Sequence, residues 1–270
     1  MQKLNAWLSH GVPAPETAPD PLRRRRLALE IVLVLGLALL PSAVRSLVTF
    51  VNRLTLPLPL NEQTATINAP ADERAIFDLL YQLINIAAVL VPVAMALYLL
   101  WVDGTGPFRR LGLDRRHPLR DLAHGLALAA GIGLPGIGLY VLGRALGLTT
   151  TVQPSALADY WWTAPVLILL AARAGLLEEV VGVGYLFTRL RELAWSPVAI
   201  LLAAGLLRGS YHLYQGVGPF FGNLAMGLVF GAYFLRTGRV LPLVIAHTLL
   251  DVAVFLGYAW VAALLPGWFA

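Results

Sequence analysis

Glu178 and Glu179 stand side by side in the stretch ARAGLLEEVVGVGYLF, with only apolar or small residues for a turn on either side. His212 follows in LLRGSYHLYQG, and His247 and Asp251 in LVIAHTLLDVA, while Arg173 and Arg208 lie in the same apolar runs. A charged side chain inside a membrane span costs about 2.5–3.5 kcal/mol on insertion scales, so it is kept only where it faces protein or water. Hydrolysis of a peptide bond there needs an admitted water, a group to activate it and donors for the oxyanion. Glu178 with His212 can supply the first activation, and His247 the oxyanion donor. The same residue types also suit an open Zn²⁺ site, with Glu178, His212 and His247 as ligands.

The spacings divide the work further. Adjacent helical residues point about 100° apart, so one glutamate is expected to face a cavity and the other to pair with a cation. Arg208 precedes His212 by four residues, and His247 precedes Asp251 by four, so each pair shares a helix face. Asn223 lies early in a later apolar run, where it reads as a helix cap, an interhelical hydrogen bond or a supporting site residue. His117 and His124 belong to a basic loop and His10 to the N-terminal region. H-E-x-x-H and G-x-G-D are absent, and Ser210 lacks the glycine-flanked setting of a nucleophile.

The elements that must carry these groups are membrane helices. Of the 270 residues 58% are apolar and 13% charged, against about 45–50% and about 25% in soluble domains. We expect an all-α polytopic transmembrane bundle of about seven or eight helices, with spans near 27–50, 76–101, 121–147, 163–190, 196–214, 219–235 and 240–264. Residues 1–22, rich in proline, read as a flexible tail, and 23–270 as one membrane domain with its catalytic core in about 160–257. Cysteine is absent, which excludes disulfides and thiolate chemistry.

The net charge of +5 does not indicate nucleic acid, because the basic residues sit in short loops. One set of loops holds Lys3, Arg23, Arg24, Arg25, Arg26, Arg109, Arg110, Arg115, Arg116, Arg120, Arg189, Arg191, Arg236 and Arg239, fourteen of the twenty cations. By the positive-inside rule that side, and the N-terminus with it, is cytoplasmic. The partners expected are membrane lipids and a peptide entering from the bilayer or the cytoplasmic side, and the location is a bacterial cell membrane.

The order Glu-Glu, a His 33 residues on, then H-x-x-x-D 35 further on resembles the CAAX-protease and bacteriocin-processing (Abi) family, which includes the type II CAAX prenyl endopeptidases. The stretches RGSYHLYQGVGPFFGNLAMGLVFG and LRTGRVLPLVIAHTLLD look like its bacterial branch. The resemblance implies an intramembrane endopeptidase acting on a membrane-associated or lipid-modified peptide. It makes Glu178 the water-activating residue, Glu179 its motif partner, and His212, His247 and Asp251 the second and third motifs, with or without a metal. One departure stands out: the family's E-E-x-x-x-R reads EEVVGV here, with Val183 in place of Arg and Gly182 in place of the preceding aromatic. Arg173 or Arg208 is expected to replace the lost cation beside Glu179. A non-proteolytic membrane interaction or immunity protein, and a proton-coupled transporter, are the competing readings.

Overall fold

The computed structural model describes residues 2–13, 15, 17, 19–104 and 106–264. Their order is α1 (Gln2–Leu8), α2 (Pro21–Ala38), α3 (Leu40–Leu54), β1 (Thr64–Asn68), α4 (Ala75–Val102), α5 (Pro107–Arg110), α6 (Pro118–Ala145), β2 (Thr151–Ser155), α7 (Thr163–Leu176), α8 (Leu186–Glu192), α9 (Pro197–Ser210), α10 (Val217–Thr237) and α11 (Leu241–Leu264). Capping chemistry sets several starts. Asp20 accepts the Arg23 N–H ahead of α2 and Ser196 accepts the Ala199 N–H ahead of α9, each with a proline in the first helical turn.

Seven apolar helical stretches stand near the expected spans, but they are not equal. By length and composition α4, α6 and α10 are able to cross a bilayer, and the α2–α3 pair would make a fourth. The expected seven or eight crossings are thus not all present as full-length apolar helices. α9 and the apolar part of α11 (Leu241–Gly257) are short, and the α7–α8 rod carries Arg173, Glu178, Glu179, Arg189, Arg191 and Glu192. The expected single span over 27–50 is broken at Leu39, where α2 and α3 diverge by 54°. Pro41 lacks the N–H that would continue the ladder there. α3 turns an exposed apolar stripe outward (Leu40, Val44, Leu47, Val48, Val51, Leu54) and buries Ala43 and Ser46.

Residues 2–13 depart from the expected flexible tail. Leu8 is buried, the Gly11 N–H donates to the Leu235 carbonyl at 2.8 Å, and Arg191 donates to the Val12 carbonyl at 3.1 Å. Arg236 lies over the Trp7 ring. The spacing of Leu4, Trp7 and Leu8 gives α1 one apolar edge, which the proline-rich stretch after it conceals in a sequence reading.

The basic loops assigned to one side do meet at one end of the bundle. Val240 N–H bonds the Leu111 carbonyl, and Arg239 holds Asp121 at 2.6 Å and Asp114 at 3.1 Å. Burial works against the Asp114 carboxylate, but the Arg116 N–H and the Arg239 guanidinium outweigh it and hold its pKa below the usual value. Glu30, which its position near a span end suggested would reach for the interface, is instead buried. It accepts from Arg189 at 2.8 Å and from the Tyr185 hydroxyl at 2.9 Å. Arg189, wholly enclosed, also bonds Asp103, Glu192 and the Leu99 carbonyl.

The opposite end adds the one departure from an all-α chain. β1 and β2 pair in parallel, Thr64 opposite Thr151 through Asn68 opposite Ser155. The loop before β2 then bonds the α9–α10 connection, with the Thr150 N–H donating to the Gln215 carbonyl and Val217 N–H to Leu148. Gly216 makes that join possible. Its φ is +111°, and a Cβ would lie 2.5 Å from the Leu148 carbonyl oxygen. Gly216→Ala should therefore destabilise the protein by about 1–3 kcal/mol, read as a lowered thermal midpoint in detergent. An unchanged midpoint would contradict this account of the join.

Candidate active site

Between α7 and α8 the rod does not stay α-helical. Residues Leu177–Tyr185 wind as a nine-residue π-helix with no break in the chain direction. Such segments are rare and concentrate at functional sites. This one opens with Glu178 and Glu179, and the packing of Val180, Val181, Val183 and Tyr185, all buried, fixes it in the core.

The two glutamates divide as their angular separation requires. Glu179 is fully enclosed, whereas the Glu178 side chain keeps 13% of its surface and lines a narrow cleft. Both meet the same cation. Arg208, from the last turn of α9, places Nη1 2.7 Å from Glu179 Oε1 and Nη2 3.4 Å from Glu178 Oε2. Its guanidinium lies 5.6 Å from the Phe230 ring centroid and near Met226 Sδ. Of the two candidates for replacing the missing motif cation, Arg208 is therefore the counter-ion of Glu179, and Arg173 is not.

α11 brings the third component. His247 Nδ1 is 2.7 Å from Glu179 Oε1 and its Nε2 is 3.5 Å from Asp251 Oδ2. A carboxylate only accepts, so the short contact makes Nδ1 a donor to Glu179. The Arg208 Nη2 at 3.2 Å from the same nitrogen is then packing between two donors.

His212 falls just beyond the end of α9, because that helix stops at Ser210 and not at residue 214 as expected. Its Nδ1 is 3.0 Å from the Arg208 carbonyl oxygen, which fixes Nδ1 as the protonated nitrogen. Nε2 is left as an acceptor with no protein partner among the described residues. His212 lies within electrostatic reach of Glu178 and His247 but bonds to neither. The residue that does reach Glu178 is Tyr211, whose hydroxyl donates to Oε2 at 2.8 Å. Sequence reasoning passed it over, and the only signal was its place next to His212. Asn223 is not drawn in: its side chain donates to the Pro219 carbonyl of its own helix at 3.1 Å.

Space beside Glu178 follows from the motif departure. Gly182 lacks a side chain, and Leu39, from the break between α2 and α3, takes that place with Cδ1 3.2 Å from where a Cβ would sit. Leu39, Gly182, Val183, Ala204, Leu207 and Tyr211 form apolar walls of the cleft around the carboxylate.

Glu178, Glu179 and His247 can each bring a ligand atom within 4.8 Å of the others, a spacing open to a metal ion. Arg208 already lies against all three, so a divalent cation placed among these ligands would meet a fixed positive charge. This arrangement does not fit a metal, and His212, expected as a ligand, is outside it.

The comparison of sequences agrees with the arrangement. Residues 160–253 match the family model described as type II CAAX prenyl endopeptidase Rce1-like. The Rce1-like segment is the one on which the motif resemblance was drawn, and it contains every charged residue of the site. The match supports the general class of a membrane-embedded CAAX-type endopeptidase. No curated protein and no solved structure matches the chain.

Proposed function

We propose that this protein is an intramembrane endopeptidase that hydrolyses a membrane-associated or lipid-modified peptide with a water activated by Glu178. The convergence of π-helix, α9 and α11 side chains beside one cleft carries this reading: a carboxylate held by Tyr211 and Arg208, backed by an enclosed Glu179–Arg208–His247 set.

Each group has a task. Glu178 takes the proton of the attacking water, with Tyr211 orienting its carboxylate. His212, fixed as the Nδ1–H tautomer, offers Nε2 as a second acceptor for that water. Arg208 and His247 form the positive side of the site, where charge develops on the carbonyl oxygen, and act from fixed positions. Glu179 and Asp251 hold those two groups and do not themselves face substrate. No metal takes part. The site's cation is intact despite Val183, which removes the ground for a degenerate, non-proteolytic member.

The peptide reaches the site from the bilayer or from the arginine-rich end, which we assign to the cytoplasm of a bacterial cell. Turnover of a fluorescent prenylated peptide by the full-length protein in lipid vesicles tests the proposal. Wild type should release a C-terminal fragment, and His212→Ala should lower kcat/KM by about 10²-fold. Intact peptide after prolonged incubation with wild type would reject it. Tyr211→Phe should cost about tenfold in kcat/KM, the worth of one hydrogen bond to a charged group, with thermal stability little changed. An undiminished rate would remove Tyr211 from the site.

A further inference from the structure

Five basic or acidic groups of the site have partners, and one does not. Arg173 stands on α7, five residues before Glu178, and the helix that carries it packs on α4 and α11. Its Nε is enclosed without a hydrogen-bond partner, and no ion pair or hydrogen bond holds the side chain among the described residues. The two terminal nitrogens are not among the enclosed atoms, so they remain accessible. The side chain feels the charges of Glu178 and Asp251 without bonding either, since Glu178 is held by Tyr211 and Arg208 and Asp251 faces His247.

A guanidinium within a membrane-embedded domain is costly when it has no anion to meet, and packing does not explain this one. The role that the missing motif Arg left open is filled by Arg208. The buried cluster around Arg189 shows what this chain does with an arginine it needs for architecture: it surrounds it with Glu30, Asp103 and Glu192. Arg173 is left open beside the cleft instead. Its planar fork matches a carboxylate in two parallel hydrogen bonds, and the one carboxylate that every unmodified linear peptide carries is its C-terminus.

We propose that Arg173 is the recognition residue for the free C-terminal carboxylate of the peptide substrate. This rests on the peptidase reading of Glu178 and gives it a direction: the peptide lies with its C-terminal end toward α7, so the enzyme removes a short piece from an end and does not cut internal loops. Arg173 acts on binding and alignment, and the proton transfers stay with Glu178.

The test uses full-length protein in phosphatidylcholine vesicles and one fluorescent prenylated peptide made with a free C-terminal carboxylate and as its C-terminal amide. Wild type should favour the acid over the amide by about tenfold in kcat/KM, carried by KM, the scale of one charge-assisted contact. Arg173→Gln should bring that ratio close to one, and Arg173→Lys should keep part of it. A wild-type ratio of one, or a ratio unchanged in Arg173→Gln, overturns the proposal. So does a ratio that changes only when phosphatidylglycerol is added, which would make Arg173 a lipid-phosphate contact. Binding of both peptides to Glu178→Gln separates the two levels of the argument. If neither peptide is cut by wild type but the acid still binds tighter through Arg173, the peptidase reading fails and carboxylate recognition stands.

Discussion

Glu178→Gln should lower the rate of peptide hydrolysis by about 10³-fold, within the range that a positioned general base contributes, while the folded protein stays intact. The geometry makes this a clean substitution. Gln retains an oxygen to accept the Tyr211 hydroxyl, now 2.8 Å from Oε2, and Glu178 is the less enclosed of the two glutamates. Only the capacity to take a proton from water is removed. The rate should fall in kcat, with peptide binding retained, as expected of a group whose work is done in the transition state. Single-turnover assays with the prenylated peptide, set beside a thermal unfolding curve, check both halves. Activity within tenfold of wild type would move the base elsewhere, with His212 Nε2 the next group to try.

Arg208→Met should have the opposite profile and unfold the protein more readily by about 3–5 kcal/mol, the cost of leaving a buried charge without its partner. Glu179 has no exposed surface and its Oε2 has no hydrogen-bond partner, so Arg208 and His247 are all that hold it. Activity would be lost along with the fold, so stability is the readout. Adding Glu179→Gln to Arg208→Met should recover part of the loss, because the orphaned charge is gone, whereas Arg173→Met alone should leave the unfolding curve close to wild type. Thermal or denaturant unfolding in detergent of these variants gives the coupling between residues 179 and 208 directly. Independent, additive losses would mean that the pair does not share one interaction.

The composition and the three motifs were enough to read a helical membrane protein, the family and the set of groups that meet. They also gave Arg208 as one of two replacements for the cation lost at Val183. Depth along the helices was not legible. Counting about 1.5 Å per residue from the expected span ends put Glu178, His212 and His247 at very different heights. The reasons lie in particular elements. α9 ends at Ser210, so His212 is on a turn, and the first span breaks at Leu39. Neither proline position nor hydropathy announces where a helix stops when the chain on both sides of the stop is apolar. Tyr211 escaped because an aromatic beside a histidine is ordinary membrane composition until a carboxylate is found 2.8 Å from it. The folded N-terminal helix escaped because its burial depends on residues 191 and 235, far along the chain.

The widened winding over Leu177–Tyr185 makes the active centre sensitive to chain length in a way that its neighbours are not. A π-turn accommodates an extra residue that a regular α-helix has no room for. Deleting any single residue there would let the rod relax to regular pitch and swing the part on one side relative to the other by about 100°. Glu178 and Arg189 would then no longer face their partners together, although no side chain at either position had changed. Insertions and deletions in this nine-residue stretch should thus be far less tolerated than substitutions, and the length of the stretch is itself part of the catalytic apparatus.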